Sequence, residues 1–195
     1  LIKADLSIAN QVKRIVPFGY RRMRGLDCLI NNASLFEKDD LESFTEKSFS
    51  KHMDTNLMAP AILIKDLKKF VKSKDANIIN IIDQRVRKLT PFFFSYTLSK
   101  AALATLTTTA AMKLAPNIRV NGISPGPTLK NKRQSEKHFR AQWKSTILKR
   151  QVDLNNICAS VKYFLNNNSI TGQVVNVDSG QSIAWKTPDI INSKE

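Results

Sequence analysis

Short apolar runs that alternate with longer amphipathic stretches constrain the fold of this 195-residue chain more than any other feature. Four runs rich in branched residues lie at 28–30, 78–82, 118–123 and 174–177. A strand that is apolar on both faces is typical of a parallel sheet with helices on both sides. The amphipathic stretches predict helices over 7–24, 45–72, 92–114 and 153–165. With right-handed crossovers, these elements predict an α/β fold with a Rossmann-like, doubly wound parallel sheet.

We predict that residues 1–195 form one domain, because 42% of the residues are hydrophobic and no shift in composition divides the chain. The segment 125–150 interrupts the β-α alternation. It opens with Pro125, Gly126 and Pro127 and continues as a basic amphipathic stretch. Long segments after the carboxyl end of a strand often serve as lids or binding loops. We therefore interpret 125–150 as a substrate-binding lid.

The first residues suggest that part of the sheet is missing. Residues 1–6 resemble the end of a further strand, and Asp5 and Ser7 are good helix N-caps. A doubly wound fold places a glycine-rich phosphate turn after its first strand, and the sequence contains neither Gly-x-x-x-Gly-x-Gly nor Gly-x-Gly-x-x-Gly. We therefore expect an N-terminally truncated sheet that lacks its first two β-α units and most of its cofactor affinity. Pro17 and Gly19 also weaken the predicted 7–24 helix, at about 3 and about 1 kcal/mol.

Charge, cysteines and hydropathy narrow the class of protein. The net charge is +15, but the basic residues are spread through every segment, which favours a solvated basic surface and leaves a nucleic-acid partner as the minor alternative; the charge also suits a phosphorylated cofactor. Cys28 and Cys158 lack the paired spacing of a disulfide framework or metal site, and their apolar surroundings predict buried thiols. No run approaches the roughly 20 apolar residues of a membrane span, and no leader is visible. We expect a cytoplasmic protein without a metal.

Tyr96 and Lys100 are the first candidates for chemistry. Four residues are about one helical turn, so both side chains should project from the same face. A neighbouring ammonium favours the phenolate and should lower the pKa of Tyr96, which would help it exchange protons near neutral pH. The Tyr-x-x-x-Lys pattern alone is weak, because an ordinary exposed helix pair has the same spacing.

The order of several motifs makes the pattern specific. Asn31-Asn32-Ala33-Ser34 follows one strand, Asn56 lies on the next helix, Tyr96 and Lys100 follow the next strand, and Pro125-Gly126 follows the one after. This order resembles the short-chain dehydrogenase/reductase family from its third strand to its end. The resemblance implies that Tyr96 is the general acid/base and that Lys100 lowers its pKa and binds the nicotinamide ribose. It also implies that Asn56 holds a water in the proton relay, although a helix-interior Asn can instead satisfy neighbouring backbone groups.

The resemblance also implies a cofactor site. The residues that would line it are Asp5 and Leu6 at the adenine, Asn32, Ala33 and Ser34 along the cofactor, and Pro125, Gly126 and Thr128 around the nicotinamide. The expected cofactor is NADP(H), with NAD(H) left open, because the residues that choose between them follow a strand that we expect to be absent. Asp178-Ser179-Gly180 resembles the family's structural turn after the last strand.

Asp83 is an informative departure, because most members of the family have Ser thirteen residues before the Tyr. A carboxylate there would repel a developing alkoxide, but it suits a substrate whose ring nitrogens form hydrogen bonds. Asp at this spacing resembles the pteridine reductase branch, which reduces dihydropterins and dihydrofolate with NADPH; there the Asp bonds the catalytic Tyr. The branch also implies that Ser34 and Phe36 contact the pterin, with the Phe ring stacked on it. The alternatives are that Phe36 is a core aromatic and that Asp83 caps the next helix.

These observations predict an NAD(P)H-dependent oxidoreductase that reduces a pterin or dihydrofolate-like substrate. Two alternatives stay open: a generic carbonyl or 3-oxoacyl reductase, and an inactive truncated remnant or interaction module. The resemblance further implies a homodimer or homotetramer through helices 45–72 and 92–114. Small residues on the second helix would allow close packing there, at Ala101, Ala104, Thr108 and Ala111.

Overall fold

The computed structural model describes residues 1–71 and 75–187. Its sheet has four parallel strands in the order β1-β2-β3-β4, where β1 is Cys28–Asn31, β2 is Ala76–Ile81, β3 is Ile118–Pro125 and β4 is Val174–Val177. Each strand overlaps one of the apolar runs, so the predicted α/β, Rossmann-like class is confirmed. Residues 72–74 and 188–195 lie outside the described residues, and with them the predicted helix end at 72 and the last part of the predicted domain.

Seven α-helices are found in the described residues. They are α1 (Ala9–Val12), α2 (Ile15–Met23), α3 (Glu46–Met53), α4 (Ala59–Phe70), α5 (Phe94–Leu114), α6 (Glu136–Lys144) and α7 (Leu154–Asn166). A π-helix, Asp54–Met58, joins α3 to α4, and 3-10 turns cover Gln84–Val86 and Gln181–Ile183. None of the helices in these ranges has the length and apolarity needed to cross a membrane.

Helices cover both faces of the central strands, as the two-sided apolar pattern predicts. Ile78 and Val120 pack on one face against Leu67 of α4 and Ala111 of α5. Ile79 of β2 and Ile123 of β3 point to the opposite face and pack against Phe164 of α7. Alternate residues of a strand point to opposite faces, so one run of isoleucines serves both cores. This arrangement leaves the carboxyl ends of the strands free to carry a site.

The predicted helix over 7–24 is wrong as a single element, because the chain breaks between α1 and α2. Pro17 is the third residue of α2. The first backbone N–H groups of a helix have no partner within the helix, so a proline there loses no hydrogen bond. A new helix start just before Pro17 therefore removes the cost that an unbroken helix would carry. Gly19 has the Leu26 side chain 3.5 Å from where a Cβ would lie, which is ordinary contact.

The predictions of a strand end at 1–6 and of two buried cysteines are also wrong. Residues 1–6 form no strand; Asp5 Oδ1 instead accepts hydrogen bonds from Ser7 N and Ser7 Oγ in a turn, and the residue before α1 is Ile8, without a side-chain cap. No described segment pairs with 1–6, and an extended segment needs such pairing to form a sheet. Cys28 and Cys158 are exposed rather than buried.

Candidate active site

The carboxyl edge of the sheet gathers the predicted site residues. Asp83 follows β2, Phe36 lies in the segment after β1, and Tyr96 and Lys100 lie on α5. In parallel α/β sheets, ligands bind in the crevice at this edge. Sequence positions far apart therefore meet here because every strand of the sheet ends on the same side.

Asp83 and Tyr96 form the central contact of the site. The Tyr96 hydroxyl donates a hydrogen bond to Asp83 Oδ2 at 2.8 Å. The other oxygen, Oδ1, accepts from Arg85 N at 2.8 Å and so caps the 3-10 turn that begins at Gln84. Asp83 thus performs both functions that the sequence suggested, since one carboxylate oxygen caps the next turn and the other binds the phenol.

The pKa of Tyr96 is raised well above its usual range, so the prediction that Lys100 lowers it is wrong. Burial of the phenol is the largest cause, and the Asp83 carboxylate raises the pKa further; Arg85 and a hydrogen bond with Ser34 act in the opposite direction. The Lys100 ammonium lies 5.8 Å from the Tyr96 ring centroid and donates to Ile81 O at 2.8 Å. The cation is therefore turned toward the end of β2 instead of toward the hydroxyl.

Lys100 is buried, with only 2% of its surface exposed. Burial disfavours the charged form and lowers the pKa of Lys100 to about 8, although Asp83 partly opposes this. The ammonium has three N–H groups, and Ile81 O is its hydrogen-bond acceptor in the described part of the chain. Two N–H groups are thus left for another acceptor at the carboxyl edge.

Asn56 is buried at the π-helix and is bonded entirely to protein groups. Its Oδ1 accepts from Leu35 N at 2.8 Å and from Ser34 Oγ at 3.1 Å. Its Nδ2 donates to Leu35 O at 2.9 Å and to Ser99 Oγ at 3.0 Å. Because an amide side chain has two donors and two acceptor positions, its capacity is filled. The side chain holds the segment after β1 in place, and the water-holding role stays a prediction.

Two buried residues that the sequence did not indicate anchor the same segment. His52 of α3 accepts a hydrogen bond from Glu37 N through Nε2 at 3.2 Å, and its Nδ1 lies 2.8 Å from Ser48 O. Asp39 accepts from Ser95 N through Oδ1 at 3.2 Å and from Phe93 N through its carbonyl oxygen at 2.7 Å. These contacts tie the segment after β1 to both α3 and α5. A buried His or Asp that binds backbone groups of a loop has no sequence signature.

Phe36 lies between Tyr96 and Phe93. Its ring stacks on Phe93 with centroids 4.5 Å apart and planes at 10°, and it meets Tyr96 edge-on at 4.6 Å. Phe93 has φ 61°, a left-handed conformation that precedes the start of α5. The two phenylalanines therefore form a flat aromatic platform beside the phenol. Sequence reasoning missed Phe93 and also Arg85, although Arg85 stands only two residues after Asp83.

Most of the other predicted cofactor residues lie near the carboxyl edge of the sheet. Asn32, Ala33 and Ser34 are exposed directly after β1, and Gly126 follows β3. A Cβ on Gly126 would lie 2.6 Å from Asp178 Cα, so only glycine allows this close approach.

The turns around Gly126 fix one another. Thr128 Oγ1 donates to Gly126 O at 3.0 Å. Asp178, as expected, is structural, because its carboxylate accepts from Gly180 N and Ser182 N. At the other end of the chain, Asp5 is bonded to Ser7, and Leu6 packs against the hydrophobic cluster around Val12. The structure thus does not join Asp5 and Leu6 to the Tyr96 centre by any contact among the described residues.

Comparison with known proteins agrees with this geometry. The family model described as enoyl-(acyl carrier protein) reductase, which is one of the short-chain dehydrogenase/reductases, matches residues 1–182. The chain belongs to the short-chain dehydrogenase/reductase family. Galactitol 2-dehydrogenase of Agrobacterium fabrum is 30% identical over 128 residues, which are 64% of this chain and 50% of that protein. The chain thus spans half the length of this curated relative.

Two other similarities fit the pteridine reductase-like branch. Dihydromonapterin reductase of Enterobacter sp. is 25% identical over 185 residues, which are 93% of this chain and 77% of that protein. The crystal structure of FolM alternative dihydrofolate reductase 1 from Brucella canis, complexed with NADP, has a TM-score of 0.93 and 44% identity. That match covers 97% of this chain and 75% of the FolM chain.

Proposed function

We propose that this short-chain dehydrogenase/reductase reduces a reduced pterin or dihydrofolate with NADPH. The hydrogen bond of 2.8 Å from the Tyr96 hydroxyl to Asp83 Oδ2 is the observation that carries the proposal. It places a proton donor and a carboxylate beside the Phe36 ring, which meets Tyr96 edge-on. The likeness to FolM, named an alternative dihydrofolate reductase, supports the same substrate class.

Tyr96 acts as the general acid. Because burial and Asp83 raise its pKa, the phenol stays protonated at neutral pH and can deliver its proton to a substrate nitrogen. Asp83 orients the hydroxyl and accepts hydrogen bonds from N–H groups of the heterocycle. A carboxylate in that place disfavours ketone reduction, because it repels the alkoxide that forms on the carbonyl oxygen. Asn56 is the positioning residue that holds Ser34 next to Tyr96.

The residues at the carboxyl edge fit a nicotinamide cofactor in part. The two N–H groups of Lys100 that do not bind Ile81 O suit ribose hydroxyl oxygens. Because the pKa of Lys100 is about 8, the ammonium is charged at lower pH values. Asn32, Ala33 and Ser34 would line the cofactor, with 125–128 beyond them. NADPH supplies the hydride when bound. These residues would hold the nicotinamide end of the molecule.

The Asp83→Ser variant tests the substrate class. We expect turnover of dihydrofolate or dihydrobiopterin with NADPH to fall by about tenfold to a hundredfold, since the variant replaces the carboxylate that orients the Tyr96 hydroxyl and accepts from the ring N–H groups with a shorter, neutral hydroxyl. NADPH binding, measured by its fluorescence, should stay unchanged. Full pterin turnover in Asp83→Ser contradicts the assignment of substrate, and absence of NADPH binding at millimolar cofactor contradicts the enzyme function itself.

The assembly is also a proposal. We infer that α3, the π-helix after it, α4 and α5 pair with those of a second copy to form a homodimer or homotetramer. Exposed apolar side chains on these helices support it, since Met58 is 52% exposed, Leu98 42% and Met112 76%. Sedimentation of wild type and Leu98→Glu tests it: we expect the wild type to sediment as an oligomer and the variant as a smaller species. A monomeric wild type contradicts it.

A further inference from the structure

Arg85 is a largely buried cation with few partners. Its side chain is 18% exposed, and its ion pair among the described residues is Nη1 to Asp83 Oδ1 at 3.5 Å. Its Nε is buried and has no hydrogen-bond partner among those residues. A guanidinium has five N–H groups, and leaving them unsatisfied away from water costs free energy. The site therefore offers unfilled donors of a planar cation close to the Tyr96 phenol.

Arg85 lies beside the aromatic platform. Its guanidinium carbon is 4.7 Å from the Phe93 centroid and 5.3 Å from the Phe36 centroid. Since those two centroids are only 4.5 Å apart, Arg85 must flank the stack instead of covering an outer face of it. A flat ring bound near Phe36 would thus have the cation at its edge.

Two further cations lie over rings in this part of the chain, one over Phe36 and one over Phe92, which precedes Phe93 in the sequence. Arg133 lies 5.7 Å from the Phe36 centroid and donates a hydrogen bond to Phe36 O, and Lys38 lies 5.2 Å from the Phe92 centroid. We call the set the aromatic–cationic rim: Phe36, Phe92 and Phe93 with Lys38, Arg85 and Arg133.

The rim carries excess positive charge next to the proposed substrate site. Asp83 is the acid that pairs with one of its cations, and both oxygens of that carboxylate already accept other hydrogen bonds, from Tyr96 and from Arg85 N. Glu37 is exposed and forms no ion pair with the three cations in the described ranges. Stacking faces together with unfilled guanidinium donors suit a ligand that contains both aromatic rings and a carboxylate, because a guanidinium binds a carboxylate through two parallel hydrogen bonds.

We propose that Arg85 binds a carboxylate on the tail of the substrate, so that the site selects dihydrofolate, with its benzoyl-glutamate tail, over pterins with a neutral side chain. The inference rests on the proposed function and narrows it to the anionic members of the substrate class. Lys38 and Arg133 add attraction for the same tail from the outer part of the rim.

The test compares dihydrofolate with dihydrobiopterin, whose side chain is neutral, in wild type, Arg85→Met and Arg85→Lys. We expect Arg85→Met to raise the KM for dihydrofolate about tenfold to a hundredfold more than the KM for dihydrobiopterin, as expected for loss of a charged hydrogen-bonded pair to the tail, whereas any effect through the ion pair with Asp83 is common to both substrates. Arg85→Lys keeps the charge without the planar fork, so it should fall between the two. Arg87→Met is the matched control, since Arg87 is exposed in the same segment, and its KM values should not change.

An equal effect of Arg85→Met on both substrates would overturn the inference and assign Arg85 to balancing the charge of Asp83. Binding of p-aminobenzoyl-glutamate, measured by calorimetry, separates this outcome from failure of the proposed function. Binding that is lost in Arg85→Met but not in Arg87→Met supports the inference even if no pterin is turned over. Wild type that does not bind this probe and has the same KM for both substrates overturns it.

Discussion

Two mostly buried arginines at opposite ends of the sheet differ in how fully they are bonded. Arg119, near the amino end of β3, has a side chain 8% exposed; it donates from Nε to Asp75 Oδ1 at 2.8 Å and from Nη1 to Phe164 O at 2.8 Å and Asn167 O at 2.6 Å. Its remaining contacts reach Ile170 O and Leu165 O at 3.4 Å. Arg85, beyond the carboxyl end of β2, has one ion pair at 3.5 Å among the described residues.

The difference separates groups that build the fold from groups that are available to a ligand. Arg119 binds carbonyl oxygens at the end of α7 and beyond it, so its charge is used in holding that helix against the sheet. Arg85 lies at the edge where the other proposed site residues meet, and its Nε has no hydrogen-bond partner within 1–71 and 75–187. We therefore interpret a buried cation whose donors all have acceptors as structural, and one with free donors at the carboxyl edge as a candidate for binding a ligand.

Replacing each arginine with Met gives the largest expected contrast. Arg119→Met leaves the Asp75 carboxylate and several carbonyl oxygens without this donor, and we expect it to lower the free energy of unfolding by about 3–5 kcal/mol. Arg85→Met should change it by less than about 1 kcal/mol, because its one ion pair is long. Urea denaturation of both variants measures this. Similar losses in the two variants would remove the distinction between the two ends of the sheet.

Lys100 gives an intermediate effect, because it is buried at the proposed site with spare donors. Its pKa falls from 10.5 to about 8 on folding, so between these pH values the unfolded chain binds more protons and the wild type becomes more stable as pH rises. Below pH 8 the buried charge costs at most roughly 3 kcal/mol.

We expect Lys100→Met to unfold at higher urea than wild type at pH 7, with the gap narrowing toward pH 10. Other titrating groups are shared by the two proteins and cancel in the difference. A gap that is independent of pH, or a variant that is less stable at pH 7, would mean that Lys100 is structural in the same way as Arg119.

The sequence predicted the frame of the fold because hydrophobic periodicity is local. The isoleucine run of β2 and the helix starts near 45 and 153 were found where predicted, and the structure shows that Thr45 caps α3 and Asp153 caps α7. The break between α1 and α2 and the π-helix at Asn56 were not predicted. A proline is penalised or tolerated according to where a helix begins, and a π-helix has no distinct composition, so both depend on tertiary packing.

For the candidate site, spacing indicated which side chains lie together but not their electrostatics. Asp83 precedes Tyr96 by thirteen positions, and this spacing correctly indicated that they pair, because resemblance to a known fold supplied the geometry. The direction of the Tyr96 pKa was wrong, since burial and the bond of Lys100 to Ile81 O are properties of the folded chain. Arg85 was missed for the same reason, because an arginine after a strand is indistinguishable from an exposed one until its burial is known.

The smallest expected effect tests whether saturation also matters for neutral groups. Thr107 is fully buried; its Oγ1 accepts from Asn80 Nδ2 at 2.9 Å and donates to Leu103 O at 2.8 Å, and Asn80 Oδ1 accepts from Asn31 Nδ2 at 2.8 Å. Thr107→Val keeps the shape but leaves the Asn80 amide without this acceptor, so we expect a loss of about 1–2 kcal/mol in unfolding free energy.

Thr105→Val is the matched control, because Thr105 lies on the exposed side of the same helix and its hydroxyl contacts Ala101 O at 3.3 Å. Water can replace that contact, so the control should change stability by less than about 0.5 kcal/mol. The KM for dihydrofolate should be the same in both variants, because neither threonine reaches the aromatic–cationic rim. If Thr107→Val is as stable as Thr105→Val, the buried chain from Asn31 to Thr107 adds no net stability, and the contrast between the two ends of the sheet then rests on charged groups alone.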